Sequence, residues 1–198
     1  MRQHDRDAEP RRPPAPKSPF PAFLLAILVL ALGVQGVLTL VRARRAREIG
    51  VAGARWIWIE QSPDRAPLHF SAIRLFDVHA VPRSAQARIF VDQRFVLWVN
   101  GSRAGSGGQS PGDAMERYEV SSLLRPGRNV IAIVAESARG IGGILFALDT
   151  GGRSPAIVSD GSWTIDPSGR RIAEAGPRRA AVLGRPPMYP WGYPRPRS

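Results

Sequence analysis

Cleaving a glycosidic bond takes two carboxyl groups facing each other across it, one protonated and one ionised. Beyond residue 48 the chain offers twelve acidic residues as candidates. Most sit at predicted strand ends or turns, where a carboxylate accepts turn hydrogen bonds. Asp92 and Asp160 read as acceptors of backbone N–H bonds in tight corners. His4, His69 and His79 do not make a three-histidine metal site, because an apolar stretch separates His4 from the others and His69 and His79 lie ten apart on one predicted strand. No nucleophile motif marks a serine. Gly105-Ser106-Gly107-Gly108 lacks the following lysine and helix of a phosphate cradle and reads as a flexible loop, as does Gly140 to Gly143. There is no cysteine and no calcium-type acidic loop. The expectation is a protein with no catalytic group, metal or cofactor.

Sugar recognition asks for less: an aromatic face for pyranose C–H groups, and planar donors and acceptors for paired hydroxyls. Trp98, Asn100, Arg103 and Arg139 lie at or beside predicted loop ends and supply both kinds of contact. Each has a structural reading beside the functional one. Trp98 can pack in the sheet, Asn100 can simply make a turn, and the arginines can be solvated surface. Trp56 and Trp58, two apart, are predicted to share a strand face, as core packing in preference to a sugar platform.

These residues sit on a strongly punctuated β pattern. Ala87 to Gly101 reads as two strands meeting at a short polar turn, with Asn100-Gly101 closing the second. Pro126-Gly127 then precedes an unbroken β-branched run suited to a buried strand. Further strands are predicted at 55–60, 68–78, 85–92, 95–99, 117–120, 129–136, 143–149, 156–159 and 163–166, and Ser121 to Leu124 as one helical turn capped by Ser121. The pattern is that of an all-β sandwich.

Ahead of it, Phe20 to Val41 carries no charge and only Gln35 and Thr39 as polar residues. As a helix it reaches roughly 33 Å, against about 30 Å of hydrocarbon in a bilayer. Ala31-Leu32-Gly33 would suit a signal-peptide cleavage site, but the apolar run continues to Val41, which favours a retained anchor. Five basic residues precede the span and Arg42, Arg44, Arg45 and Arg47 follow at once, so charge does not orient it. The expected organisation is a disordered tail over 1–18, a transmembrane anchor over 19–41, an arginine-rich stalk over 42–54, a β-sandwich over 55–169 and a Pro/Arg-rich tail over 170–198.

The net charge of +12 sits at the two ends: residues 49–169 hold twelve basic and eleven acidic side chains. A nearly neutral body argues against specific nucleic-acid binding. Ala54 to Trp58, Phe70 to Phe76, the Asp92 to Gly101 hairpin, Tyr118 to Ile133 and Ser159 to Trp163 together resemble the galactose-binding-like jelly-roll accessory domains of α-L-rhamnosidases and related glycoside hydrolases. Ala181 to Gly184 and Pro190-Trp191-Gly192 resemble the segment leading from such domains into the next. The resemblance implies a jelly roll and sugar contact. It does not imply hydrolysis, since it does not extend to the catalytic barrel. It also implies an extracytoplasmic domain with a glycan as partner; together with the anchor over 19–41, whose partner is the bilayer, the expected place is a bacterial inner membrane. Two function classes follow: a membrane-anchored module binding an envelope or exported glycan, or an assembly domain that kept the jelly roll and docks an envelope protein through a sheet face or through the tail from Arg185. That tail's prolines favour extended conformation, so it either packs across its own sandwich or projects to a partner.

Overall fold

A computed structural model describes residues 20–48, 50–60, 68–152, 155–170 and 178–195. The tail over 1–18 with His4, together with Asp64, Glu174 and residues 196–198, on which some expectations rest, lies outside the described residues. The chain forms two compact units, 1–39 and 40–198. Helix α1 (Phe20–Glu48) carries exposed apolar side chains from Leu24 to Val41 and is long and apolar enough to cross a membrane. It continues through 42–48, the segment assigned to a stalk, because Arg, Ala and Glu are all good helix formers. It ends in a Schellman motif. Gly50, at φ 72°, donates to Arg47 O and Val51 donates to Ala46 O, both at 2.9 Å. Its left-handed backbone favours glycine, and the Arg88 guanidinium lies where a Cβ would go, so a larger residue would also have to displace that side chain.

The β-domain is a sandwich of two antiparallel sheets. One has the order β12 (Ala181–Gly184), β1 (Trp56–Trp58), β8 (Ile144–Asp149), β3 (Gln86–Val91), β6 (Glu116–Glu119), with β9 (Ile157–Val158) paired to β8. The other has the order β11 (Arg178–Arg179), β10 (Thr164–Asp166), β2 (Leu68–Val78), β7 (Gly127–Ser137), β4 (Arg94–Val99), β5 (Ser102–Gly107). Strands β2 and β7 pair over all eleven residues, from Leu68↔Ser137 to Val78↔Gly127. Inward-facing Phe70, Phe95, Leu97, Ile131, Ile133, Phe146 and Trp163 fill the space between the sheets.

A second apolar cluster covers the outer face of the first sheet. Trp56, Phe90, Leu145 and Ala147 meet Val51, Ala54, Met115 and Trp191 there. This explains the unbroken apolar run Ile144 to Leu148: Leu145 and Ala147 are buried outward while Ile144, Phe146 and Leu148 are buried inward. The tail from Arg185 to Arg195 therefore packs across its own sandwich. Trp191 stacks on Trp56 with centroids 4.7 Å apart, and its indole N–H donates to Asp92 Oδ2 at 3.0 Å. Arg195 exchanges backbone hydrogen bonds with Asp113 and Met115. Tyr193 donates its hydroxyl proton to Arg42 O and lies under the Arg45 guanidinium.

Four sequence expectations change. Trp56 and Trp58 do not share a face, because a bulge between Trp56 and Ile57 shifts the register. Trp56 faces the tail, whereas Trp58 lies inside, edge-on to Phe70. The Gly105 to Gly108 segment is mostly strand β5, not a loop; its glycines answer close approach, since a Cβ on Gly105 would lie 2.1 Å from the Tyr118 ring. The turn at Ser121–Leu123 has Val120 at its cap position and no side-chain cap bond. Asp92 binds an indole where a backbone N–H was expected, whereas Asp160 does accept from the Ser162 N–H, at 2.8 Å.

Removing residues 185–198, or replacing Trp191 by Ala, should lower stability by about 3 kcal/mol or more, the usual cost of emptying a buried tryptophan site. Urea unfolding of the full chain in detergent measures it.

A second expectation concerns acid. Glu119 accepts from the Ala85 and Ser121 N–H groups and the Ser84 hydroxyl, and the Ala85 bond above all brings its pKa from 4.5 down to about 2. The Asp166 carboxyl is lowered by its bond from the Ser168 hydroxyl, aided by Arg170. A depressed carboxyl stabilises the fold fully above its unfolded pKa and loses that contribution as pH falls toward the folded value. Stability should therefore decline between pH 4.5 and 2, and Glu119→Gln should flatten that decline, read from urea midpoints across the range.

Candidate functional site

With the apolar outer face of the first sheet covered by the tail, open ground among the described residues includes the outer face of the second sheet around β4, β5 and the adjoining ends of β2 and β7. Alternation along β4 sends Phe95, Leu97 and Val99 into the core, so Arg94, Val96 and Trp98 face outward. Register places Glu136 of β7 beside Arg94, Val134 beside Val96 and Ala132 beside Trp98, with His69 of β2 on the far side of Glu136. Two adjoining open depressions follow from this row. One, of about 550 Å³, is lined by Gln93, Arg94, Phe95, Val96, Ser106, Gly107, Gly108, Val134 and Glu136. The other, of about 520 Å³, is lined by Leu68, His69, Gln93, Arg94, Glu136, Ser137 and Ala138.

Gln93 fixes the end of this surface. It occupies the β3–β4 turn at φ 80°, an unusual backbone for a residue with a long side chain. Its amide grips the β7–β8 connection: Nε2 donates to Ser137 Oγ at 2.8 Å, and Oε1 accepts from the Ala138 N–H at 2.7 Å. The Ser137 hydroxyl in turn donates to Ile141 O at 2.9 Å. The segment that reads as flexible in sequence is thus pinned at its start. Beside it, the buried Asp92 faces Arg139, whose Nη2 lies 3.5 Å from Oδ1. One carboxylate so holds the tail's Trp191 with one oxygen and a solvent-facing guanidinium with the other.

The four residues singled out in sequence do not converge. Trp98 is half-buried on the outer face and opposes Arg103 across β4 and β5. Arg103 is exposed and donates to Ser106 Oγ at 2.6 Å. Asn100 makes the hairpin turn with Gly101, at φ 50° and 84°, the left-handed pair a two-residue turn requires. Its side chain braces that turn: Nδ2 donates to Leu123 O and Asn129 Oδ1, and Oδ1 accepts from the Val130 N–H. Arg139 lies past the other end of β4, roughly 17 Å away at about 3.4 Å per residue. Gln93 and Arg94 are not among the sequence candidates, and Glu136 and His69 figure there only as a possible acid and a possible metal ligand. The signal that finds them is the outward position on β4 combined with the β4–β7 and β2–β7 registers.

No protein-family model and no curated protein matches the chain. Solved structures do, and they define the fold as a galactose-binding-like β-sandwich. The GH78 family rhamnosidase of Bacillus sp. GL1 superposes with a TM-score of 0.65 at 24% identity, over 73% of this chain and 20% of its own. The Streptomyces avermitilis α-L-rhamnosidase, solved with L-rhamnose, gives 0.60 at 21% identity over 74% and 16%. The Pleurotus ostreatus lectin in complex with GalNAc gives 0.59 at 21% identity over 73% and 47%. The chain thus spans about a fifth or less of these rhamnosidases and under half of the lectin. The part of the rhamnosidases it matches is a small accessory domain, not the catalytic one.

Asn100→Ala should lower stability by about 2 kcal/mol, through lost bonds to partly buried groups and an alanine held at positive φ. Asn100→Gly should recover only the backbone share. Urea unfolding of both variants separates the two contributions.

Proposed function

We propose that this protein is a membrane-anchored, non-catalytic carbohydrate-binding module that recognises an envelope or exported glycan from the outer side of a bacterial inner membrane. The observation that carries this reading is the asymmetry of the sandwich: one outer face is sealed by the tail and the other offers an open, mixed apolar and polar surface. Val96 and Val134 supply an apolar floor and Trp98 continues it along β4. Arg94 and Glu136 supply a planar donor and a planar acceptor that match neighbouring sugar hydroxyls, with Gln93 bracing the wall beside them and Arg139 and Arg103 at the margins. Asn100 serves as the brace of the β4–β5 turn.

Lectin and rhamnosidase relatives in fold support the sugar-binding reading, one of the former having been solved with GalNAc and one of the latter with L-rhamnose. Among the residues lining the two depressions Glu136 is the only carboxylate, whereas hydrolysis employs a facing pair. Helix α1, with its exposed apolar side chains, is the membrane anchor in this reading, retained over 19–41 and not cleaved, with the β-domain from residue 55 outside the cytoplasm.

The test is a glycan array that includes rhamnose- and galactose-containing bacterial polysaccharides, probed with the full chain in nanodiscs. Saturable binding that Trp98→Ala or Arg94→Ala weakens about ten-fold is the expected result. A folded protein that binds nothing would favour the assembly-domain reading, for which crosslinking in intact membranes would seek an envelope partner.

A further inference from the structure

We infer that the ligand of this surface is an internal stretch of a glycan chain, at least two sugar units long, and not a single terminal sugar. This rests on the carbohydrate-binding reading above and specifies its substrate. The two depressions are not separate sites, since both are walled by Gln93, Arg94 and Glu136. Arg94 and Glu136 are register partners on adjacent strands, so together they form a polar ridge with one lobe on either side.

The lobe toward the edge strand β5 has the Val96 and Val134 floor, suited to the C–H face of one ring. The lobe toward β2 has Leu68 and Ala138 as apolar ground, with the half-exposed His69, 3.6 Å from Glu136, as its hydrogen-bonding group. Each lobe alone is within the roughly 300–1,000 Å³ of an ordinary small-ligand pocket. A single ring would occupy one of them and engage the ridge from one side only.

From His69 across Glu136 and Arg94 to the β5 backbone the surface crosses four neighbouring strands, about 14 Å at about 4.8 Å per strand. That is longer than one pyranose ring. Both lobes are open to solvent, so a chain seated in one can continue beyond it. The geometry is that of a shallow groove in which a linkage crosses the Arg94–Glu136 ridge and the rings on its two sides settle into the lobes.

The experiment is titration calorimetry on the full chain in nanodiscs. The probes are L-rhamnose and N-acetylgalactosamine as monosaccharides, and linear rhamno- and galacto-oligosaccharides of two, three and four units. Affinity should rise ten-fold or more from one unit to two or three, then level off. His69→Ala in one lobe and Val96→Lys in the other should each bring oligosaccharide affinity down toward the monosaccharide value, while Arg94→Ala lowers it for every probe that binds. Equal affinity for monosaccharide and oligosaccharide would overturn the inference and leave carbohydrate binding intact. So would an oligosaccharide affinity that responds to only one of the two lobe variants. Binding of no probe by the wild-type protein would overturn the carbohydrate reading itself, and this inference with it.

Discussion

The contact between Trp191 and Trp56 decides how the two faces of this sandwich are used. A sheet whose strands are apolar on both sides must be covered twice, and Leu145, Ala147 and Phe90 would otherwise present an apolar patch to water. The tail meets that need with one large ring stacked on Trp56 and held by the buried carboxylate of Asp92. From the other direction, Val51 and Ala54, just past the helix-ending glycine, close the same cluster. Both segments flanking the strands in sequence are therefore recruited to one face. In the opposite sheet β4 alternates cleanly, so Arg94 and its neighbour Glu136 on β7 carry polar groups outward, while Ile73 and Ala132 nearer the middle are buried.

What could be read from the chain follows this division. Strand β2 is legible to the residue, at 68–78, because a long run rich in aromatic and branched apolar residues lies between proline-bearing segments. The Asn100-Gly101 turn is legible because few dipeptides adopt two consecutive left-handed conformations. Strand β5 is not, because Gly105 and Gly107 mimic a flexible loop: the reason for glycine at Gly105 is the Tyr118 ring from the other sheet, a contact no local pattern encodes. The bulge at Trp56 is equally hidden, since alternation assumes an unbroken register. Strands β11 and β12 are too short for a period to appear.

The surface argued to bind sugar was hard to read for a related reason. Its residues come from β2, β7, β4, β5 and the β3–β4 turn, and only cross-strand register brings them together. Binding residues generally concentrate at loop ends. The observed depressions lie largely on the sheet itself, close to one end. Trp98 and Arg103 are nevertheless on the right face, and Arg139 stands next to Ala138 at its margin.

Gln93 carries a consequence for how this protein can vary over evolutionary time. Its backbone favours glycine or asparagine, while the β7–β8 connection depends on a side chain long enough to reach both Ser137 and Ala138. Asparagine would suit the first demand and fall short of the second; glycine would relax the turn and release the connection. No single common residue satisfies both better than glutamine. Relatives that alter this position are therefore expected to have changed Ser137 or rebuilt the following connection together with it, so that the turn and the connection it grips drift as one heritable unit.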